Sequence, residues 1–212
     1  MKEVRPTSGR VLLALFSILS GGEAGKGFKN AVFLDLFAGT GRVGIEALRR
    51  GAPSVVMVEV LRDRARAIER SISEDFAEAG KVVVLSLELR RAIAWLLKRE
   101  RLFDVAFADP PYNEGWGKSL LYTKGLEKLL KPEGIFVVEH ASREGLEVPQ
   151  PWVVTDARTY GETTLTFLRI IHQEAFLWNI PSAPSTLDPS IPSPTGTFTS
   201  RDGPLLFLTR FE

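Results

Sequence analysis

Asp35-Leu-Phe-Ala-Gly39-Thr-Gly41-Arg-Val-Gly44 follows the apolar run Ala31 to Leu34 and leads into a helix-like stretch, Val43 to Arg50. A strand, a glycine-rich turn and a helix in that order form the opening βα unit of an open, mostly parallel α/β sheet. Outward from it, the strand pattern recurs at 54–60, 81–87, 103–108 and 134–140, with helix patterns over 61–79, 89–100 and 117–131 between. Strands separated by helix-length stretches predict βαβ units. The last two strands, 152–159 and 163–170, are joined only by Tyr160-Gly161-Glu162, too short for a parallel return, so they form an antiparallel hairpin. Before the sheet, Leu12 to Leu19 reads as an apolar helix that Thr7 or Ser8 could cap.

The glycine pattern Gly39-x-Gly41-x-x-Gly44 suits any ligand that must approach backbone at a helix N-terminus, and is weak evidence alone. Two carboxylates sharpen it. Asp35 ends the first strand four residues before Gly39, where it could meet the ammonium of a methionine moiety but would repel a pyrophosphate. Glu59 ends the second strand and could accept both hydroxyls of a ribose. The expected cofactor is therefore S-adenosylmethionine (SAM), with Asp35, Phe37, Gly39, Gly41, Glu59 and Glu88 as its contacts. Glu88 follows the third strand and reads equally well as a helix-start glutamate.

At the end of the fourth strand stands Asp109-Pro110-Pro111-Tyr112. Two consecutive prolines stiffen the turn and remove two donors. The Asp109 carboxylate and the Pro110 carbonyl can then both accept from one NH₂ group. Tyr112 offers a face on which a base can stack, worth about 1–3 kcal/mol. Methyl transfer needs alignment of nucleophile and methyl group, and a carboxylate beside the amine stabilises the charge that develops there. Asp109, Pro110 and Tyr112 are the expected catalytic residues, with Pro111 and Tyr112 against the substrate.

Together these residues resemble the RsmD family, which methylates guanine N2 of small-subunit (16S) ribosomal RNA. The similarity runs from about Arg5 to Ile170. It includes Arg5-Pro6-Thr7 and Arg10, Phe33-Leu-Asp-Leu-Phe-Ala-Gly-Thr-Gly41, Gly44-Ile-Glu-Ala-Leu48, Asp109-Pro-Pro-Tyr112, Val138-Glu139-His140 and Tyr160-Gly161. The resemblance implies a Rossmann-like class I methyltransferase fold with a seven-stranded, mostly parallel sheet and a C-terminal hairpin. It also implies Arg5, Thr7 and Arg10 near the substrate, and 16S rRNA or a 30S particle as the partner. The family usually opens with a basic hairpin before Arg-Pro-Thr, where this sequence has Met-Lys-Glu-Val. An adenine-N6 DNA methyltransferase and a catalytically silent RNA-binding protein are the competing readings.

With no cysteine and two histidines, a metal site is not expected. No signal-like start or membrane-length apolar run is present, so a cytoplasmic monomer is expected. The 27 basic and 26 acidic residues are unevenly placed. Two basic and four acidic ones fall within 171–212, leaving 25 against 22 before them, a balance compatible with an RNA substrate.

Residues 1–170 are expected to form the methyltransferase domain. Residues 171–212, with six prolines, five serines and five threonines, read as a disordered or aberrant tail. Read across residue boundaries in a shifted frame, Ser185/Thr186 to Thr197/Phe198 can encode YPGSFDPLTNGHL. That string resembles a nucleotide-binding signature of phosphopantetheine adenylyltransferase, a frequent gene neighbour of the family. Overlap with such a gene predicts an open shifted frame there, and stop codons in it would exclude the idea.

Overall fold

The computed structural model describes residues 9–21, 30–75, 81–111 and 114–171. The chain divides into two compact units, 1–175 and 176–212, the second of which lies outside the described residues, as does the tail expectation from residue 172 onward. The elements run α1 (Gly9–Ser20), β1 (Val32–Asp35), α2 (Arg42–Arg49), β2 (Ser54–Val58), α3 (Arg62–Asp75), β3 (Lys81–Leu85), α4 (Leu89–Leu97) and β4 (Phe103–Ala108). They continue with α5 (Trp116–Ser119), β5 (Leu130–Ala141), β6 (Trp152–Tyr160) and β7 (Thr163–Ile170). No described helix is long and apolar enough to cross a membrane.

The seven strands form one sheet in the order β3-β2-β1-β4-β5-β7-β6. β3 to β5 are parallel, and β7 runs antiparallel to both β5 and β6. Such a sheet is stable only when covered on both faces, and the strand period of two divides its side chains accordingly. Phe33, Val55, Met57, Val105, Phe107, Ile135 and Val137 face one core with α1 and α2. Leu34, Val56, Val58, Ala106, Ala108, Phe136 and Val138 face the other with α4. Phe33, Phe107 and Phe136 are essentially inaccessible, and burying each contributes about 1.5–3 kcal/mol.

The helix expected over 117–131 is not formed. That stretch is the short α5, a 3₁₀ turn at Leu120–Tyr122 and another at Glu127–Leu129. Thr123 takes an extended conformation and Gly125 a left-handed one at φ 87°, so the chain cannot stay helical through them. The leucines of the stretch are buried all the same: Leu120, Leu121, Leu126 and Leu129 join the second core. Elsewhere the element ends differ from expectation by a few residues; β5, for instance, starts at Leu130 and pairs Phe103 before a register shift.

Gly44 shows how closely α2 sits on the sheet. A Cβ there would lie 2.5 Å from Met57 Sδ of β2, closer than atoms can pack. Replacing glycine by alanine inside a helix normally stabilises by up to about 1 kcal/mol, but here the overpacking term of about 1–3 kcal/mol opposes it. Gly44→Ala is expected to lower the urea midpoint of the protein, and an unchanged or raised midpoint would mean that Met57 repacks without cost.

Candidate active site

The carboxyl ends of β1, β2 and β4 carry Asp35, Glu59 and Asp109. Asp35 pairs with Met57 on one side and Phe107 on the other, in the middle of the sheet. Asp109 follows two residues beyond Phe107 and Glu59 two beyond Met57, so all three carboxylates gather at one edge.

Asp35 is 1% exposed. Its Oδ2 accepts the Gly44 N–H at 3.2 Å, in the first turn of α2, and its Oδ1 is buried without a hydrogen-bond partner. Desolvation raises its pKa to about 7, aided by the like charges of Asp109 and Glu59 and opposed by the Gly44 and Phe37 amides. A buried acceptor left unsatisfied beside two further carboxylates suits a cationic partner. The ammonium of SAM is such a group. The same geometry disfavours a dinucleotide, because a carboxylate already takes an amide that a pyrophosphate would need at this helix end.

Glu59, 6% exposed, fastens the loop. Its Oε2 accepts the Gly39 N–H at 2.9 Å and its Oε1 the Leu61 N–H at 2.8 Å. Each oxygen keeps a second lone pair, so the carboxylate can still accept ribose hydroxyls. Gly39 and Gly41 both have positive φ, 57° and 77°, and Gly41 caps α2. Glu88 is exposed and precedes α4, and its side chain caps nothing.

Phe37 is half-buried and meets Trp116 edge-on, with ring centroids 5.1 Å apart. Trp116 was not foreseen. It stands four residues after Tyr112 with no periodic signal to mark it, and it joins the residue Phe37 before the glycine loop to the segment that follows Asp109. Asp109 is half-buried, Pro110 buried and Pro111 exposed. Tyr112, Arg5 and Thr7 lie outside the described residues. Arg10 is exposed near the start of α1, and a Cβ on the preceding Gly9 would lie 3.4 Å from Arg42 Nη2, which places that start beside the start of α2. His140 is buried, with Nε2 2.9 Å from Thr166 Oγ1 and Nδ1 2.9 Å from the Glu144 carbonyl, a structural clamp between β5 and β7.

A seven-stranded sheet of this order with a glycine loop and acidic residues at its carboxyl edge defines a SAM-dependent methyltransferase of the Rossmann-like class. Residues 1–169 match the model of the family described as "Conserved hypothetical protein 95", the RsmD family, and the chain belongs to it. "Putative rRNA methyltransferase YlbH" of Bacillus subtilis is 35% identical over 75% of this chain and 84% of its own length. "Ribosomal RNA small subunit methyltransferase D" of Buchnera aphidicola is 29% identical over 71% and 74%. The solved structure titled "Putative methyltransferase yhhF from Escherichia coli" superposes with a TM-score of 0.64 at 25% identity, covering 81% of this chain and 90% of that one.

The state of Asp35 makes two measurable demands. In the ligand-free protein the folded state binds a proton that the unfolded state releases between pH 3.8 and about 7. Stability therefore falls as pH rises through that window, by up to an order of about 4 kcal/mol. Asp35→Asn is expected to flatten this dependence and to raise the melting temperature at pH 8. A cationic ligand selects the ionised carboxylate, so wild-type SAM affinity should weaken about tenfold per unit as pH falls below about 7. Asp35→Asn and Glu59→Ala should each weaken SAM binding at pH 8 by about one to two decades. Calorimetric titration reads both, and a flat pH profile would remove Asp35 from contact with the ligand.

Proposed function

We propose that this protein transfers the methyl group of SAM to the exocyclic N2 amine of a guanine in 16S rRNA, and that Asp109 and the Pro110 carbonyl hold that amine. The observation that carries this reading is the placement of Asp109 close enough to Asp35 for their charges to interact, across adjacent strands β1 and β4. A group held at Asp109 then lies beside a ligand held at Asp35, as alignment of nucleophile and methyl group requires. Membership of a family with relatives named as ribosomal RNA small subunit methyltransferases supports the choice of RNA.

Bound on the glycine loop, SAM would supply an electrophilic methyl group. The chain's task is to place an amine in line with it. Carboxylate and carbonyl are both acceptors, so they select a group carrying two N–H bonds and turn its lone pair away from themselves. N2 attacks the methyl carbon as the carbon–sulfur bond breaks and its electron pair stays on sulfur. The nitrogen becomes positive, Asp109 stabilises that charge, and one N2 proton leaves to Asp109 or water. The guanine must first leave its stack, and Tyr112 is proposed to hold the extruded ring. Arg5, Thr7 and Arg10 are proposed to hold the RNA strand, and Phe37, Gly39, Gly41 and Glu88 to contact the cofactor beside Asp35 and Glu59.

Incubation with labelled SAM and naked 16S rRNA, 30S particles or DNA tests the reading. N2-methylguanosine in digested rRNA is the expected product, and N6-methyladenine in DNA would replace this function with another. Asp109→Ala is expected to lower kcat by roughly 100- to 1,000-fold, the scale of losing one electrostatic stabiliser. Its SAM affinity should hold, or strengthen slightly below pH 7 because one charge opposing Asp35 is gone. A large loss of SAM affinity would move Asp109 from the amine to the cofactor. Tyr112→Phe should retain more activity than Tyr112→Ala, and equal losses would indicate hydroxyl chemistry in place of stacking.

A further inference from the structure

The surface also carries a cavity of about 310 Å³ lined by Arg90, Tyr122, Thr123 and Lys124. Arg90 lies in the first turn of α4, which follows the end of β3 through Ser86-Leu87-Glu88. Arg90 therefore stands near the same carboxyl edge of the sheet as the glycine loop. Tyr122 is 60% exposed although Leu121 and Thr123 on either side of it are buried.

This exposure is built in. The Trp152 indole N–H donates to the Leu121 carbonyl at 3.2 Å, and the Thr123 N–H to the Leu120 carbonyl at 3.0 Å. Gly125 brings the following backbone against α4, where a Cβ would lie 2.7 Å from Leu97 Cδ1. Its N–H donates to Glu127 Oε2 at 3.1 Å. An anchored turn thus holds one aromatic ring in solvent, and two cations line the same cavity. Among the described residues, neither Arg90 nor Lys124 has a carboxylate within ion-pair distance.

We propose that this cavity binds a nucleotide of the RNA strand flanking the target guanine, with its base on Tyr122 and its phosphates on Arg90 and Lys124. The inference rests on the rRNA reading above. An exposed ring beside paired cations is the means by which single-stranded nucleic acid is held without sequence readout. The volume is at the low end for small-ligand sites, on the scale of one nucleotide. The need is also physical: extruding the target base unstacks its neighbour, and Tyr122 gives that neighbour a new face.

The test uses the full-length protein and whichever of naked 16S rRNA and 30S particles the wild type methylates. Tyr122→Ala is expected to raise the KM for RNA roughly 5- to 100-fold, with Tyr122→Phe near wild type. The kcat at saturating RNA and the SAM dissociation constant should be unchanged in both. Arg90→Ala and Lys124→Ala should each reduce the slope of log affinity against log salt by about 0.7. Variants that bind RNA like wild type, salt slope included, would overturn the inference while leaving the rRNA reading intact. Weakened SAM binding in Tyr122→Ala or Arg90→Ala would assign the cavity to the adenosine of the cofactor and overturn it too. If the wild type neither binds nor methylates RNA, the functional reading fails and this inference with it.

Discussion

The rest of the site depends on a carboxylate that the fold places where a carboxylate is uncomfortable. Asp35 ends the central strand β1, is closed off from water, and takes the Gly44 amide at 3.2 Å. For that amide to reach it, α2 must begin immediately above the strand end. That in turn demands the left-handed turns at Gly39 and Gly41 and a helix without a side chain at residue 44. Glu59 ties the same loop to the end of β2 through the Gly39 and Leu61 amides. The frame of the site is thus made of carboxylate-to-backbone bonds, which hold their geometry before any ligand arrives. A cation seated at Asp35 would relieve its unfavourable burial, so part of the binding free energy would be prepared by the fold.

A neutral Asp35 and an ionised one describe two different proteins. At mildly acidic pH the proton satisfies the buried carboxyl, the fold is at its most stable, and the site has little attraction for a cation. Near and above pH 7 the carboxylate is charged at a cost in stability, and under the proposed role of Asp35 the site would then be ready. If Asp35 holds the cofactor as proposed, function and stability lie on opposite sides of one titration.

The sheet was legible because each strand carries its own signal. The continuous apolar runs at Phe33, Val55 and Val105 admit little but a strand covered on both faces, and the three-residue link Tyr160-Gly161-Glu162 leaves the last pair no alternative to a hairpin. Asp35, Glu59 and Asp109 were placed at strand ends by the same reasoning. The region 117–131 reads as a helix-length stretch between two strands, and its leucines Leu120, Leu121, Leu126 and Leu129 are buried, but Thr123 and Gly125 decide the backbone. Burial was readable there and conformation was not. The Phe37–Trp116 contact and the exposure of Tyr122 have no counterpart in any local pattern, since both arise from where distant segments meet.

The segment from Trp116 to Leu129 has two duties. Its leucines are packing for the core, while its front end abuts Phe37 and its middle displays Tyr122. Many enzymes change substrates by exchanging loops that the scaffold barely notices. Here an exchange would also remove four buried leucines and the carbonyl that satisfies the Trp152 indole. Under the proposal that Tyr122 and Lys124 meet the RNA, a change of substrate preference in this protein would proceed by such single surface positions, with the length and backbone of the segment held fixed by the interior.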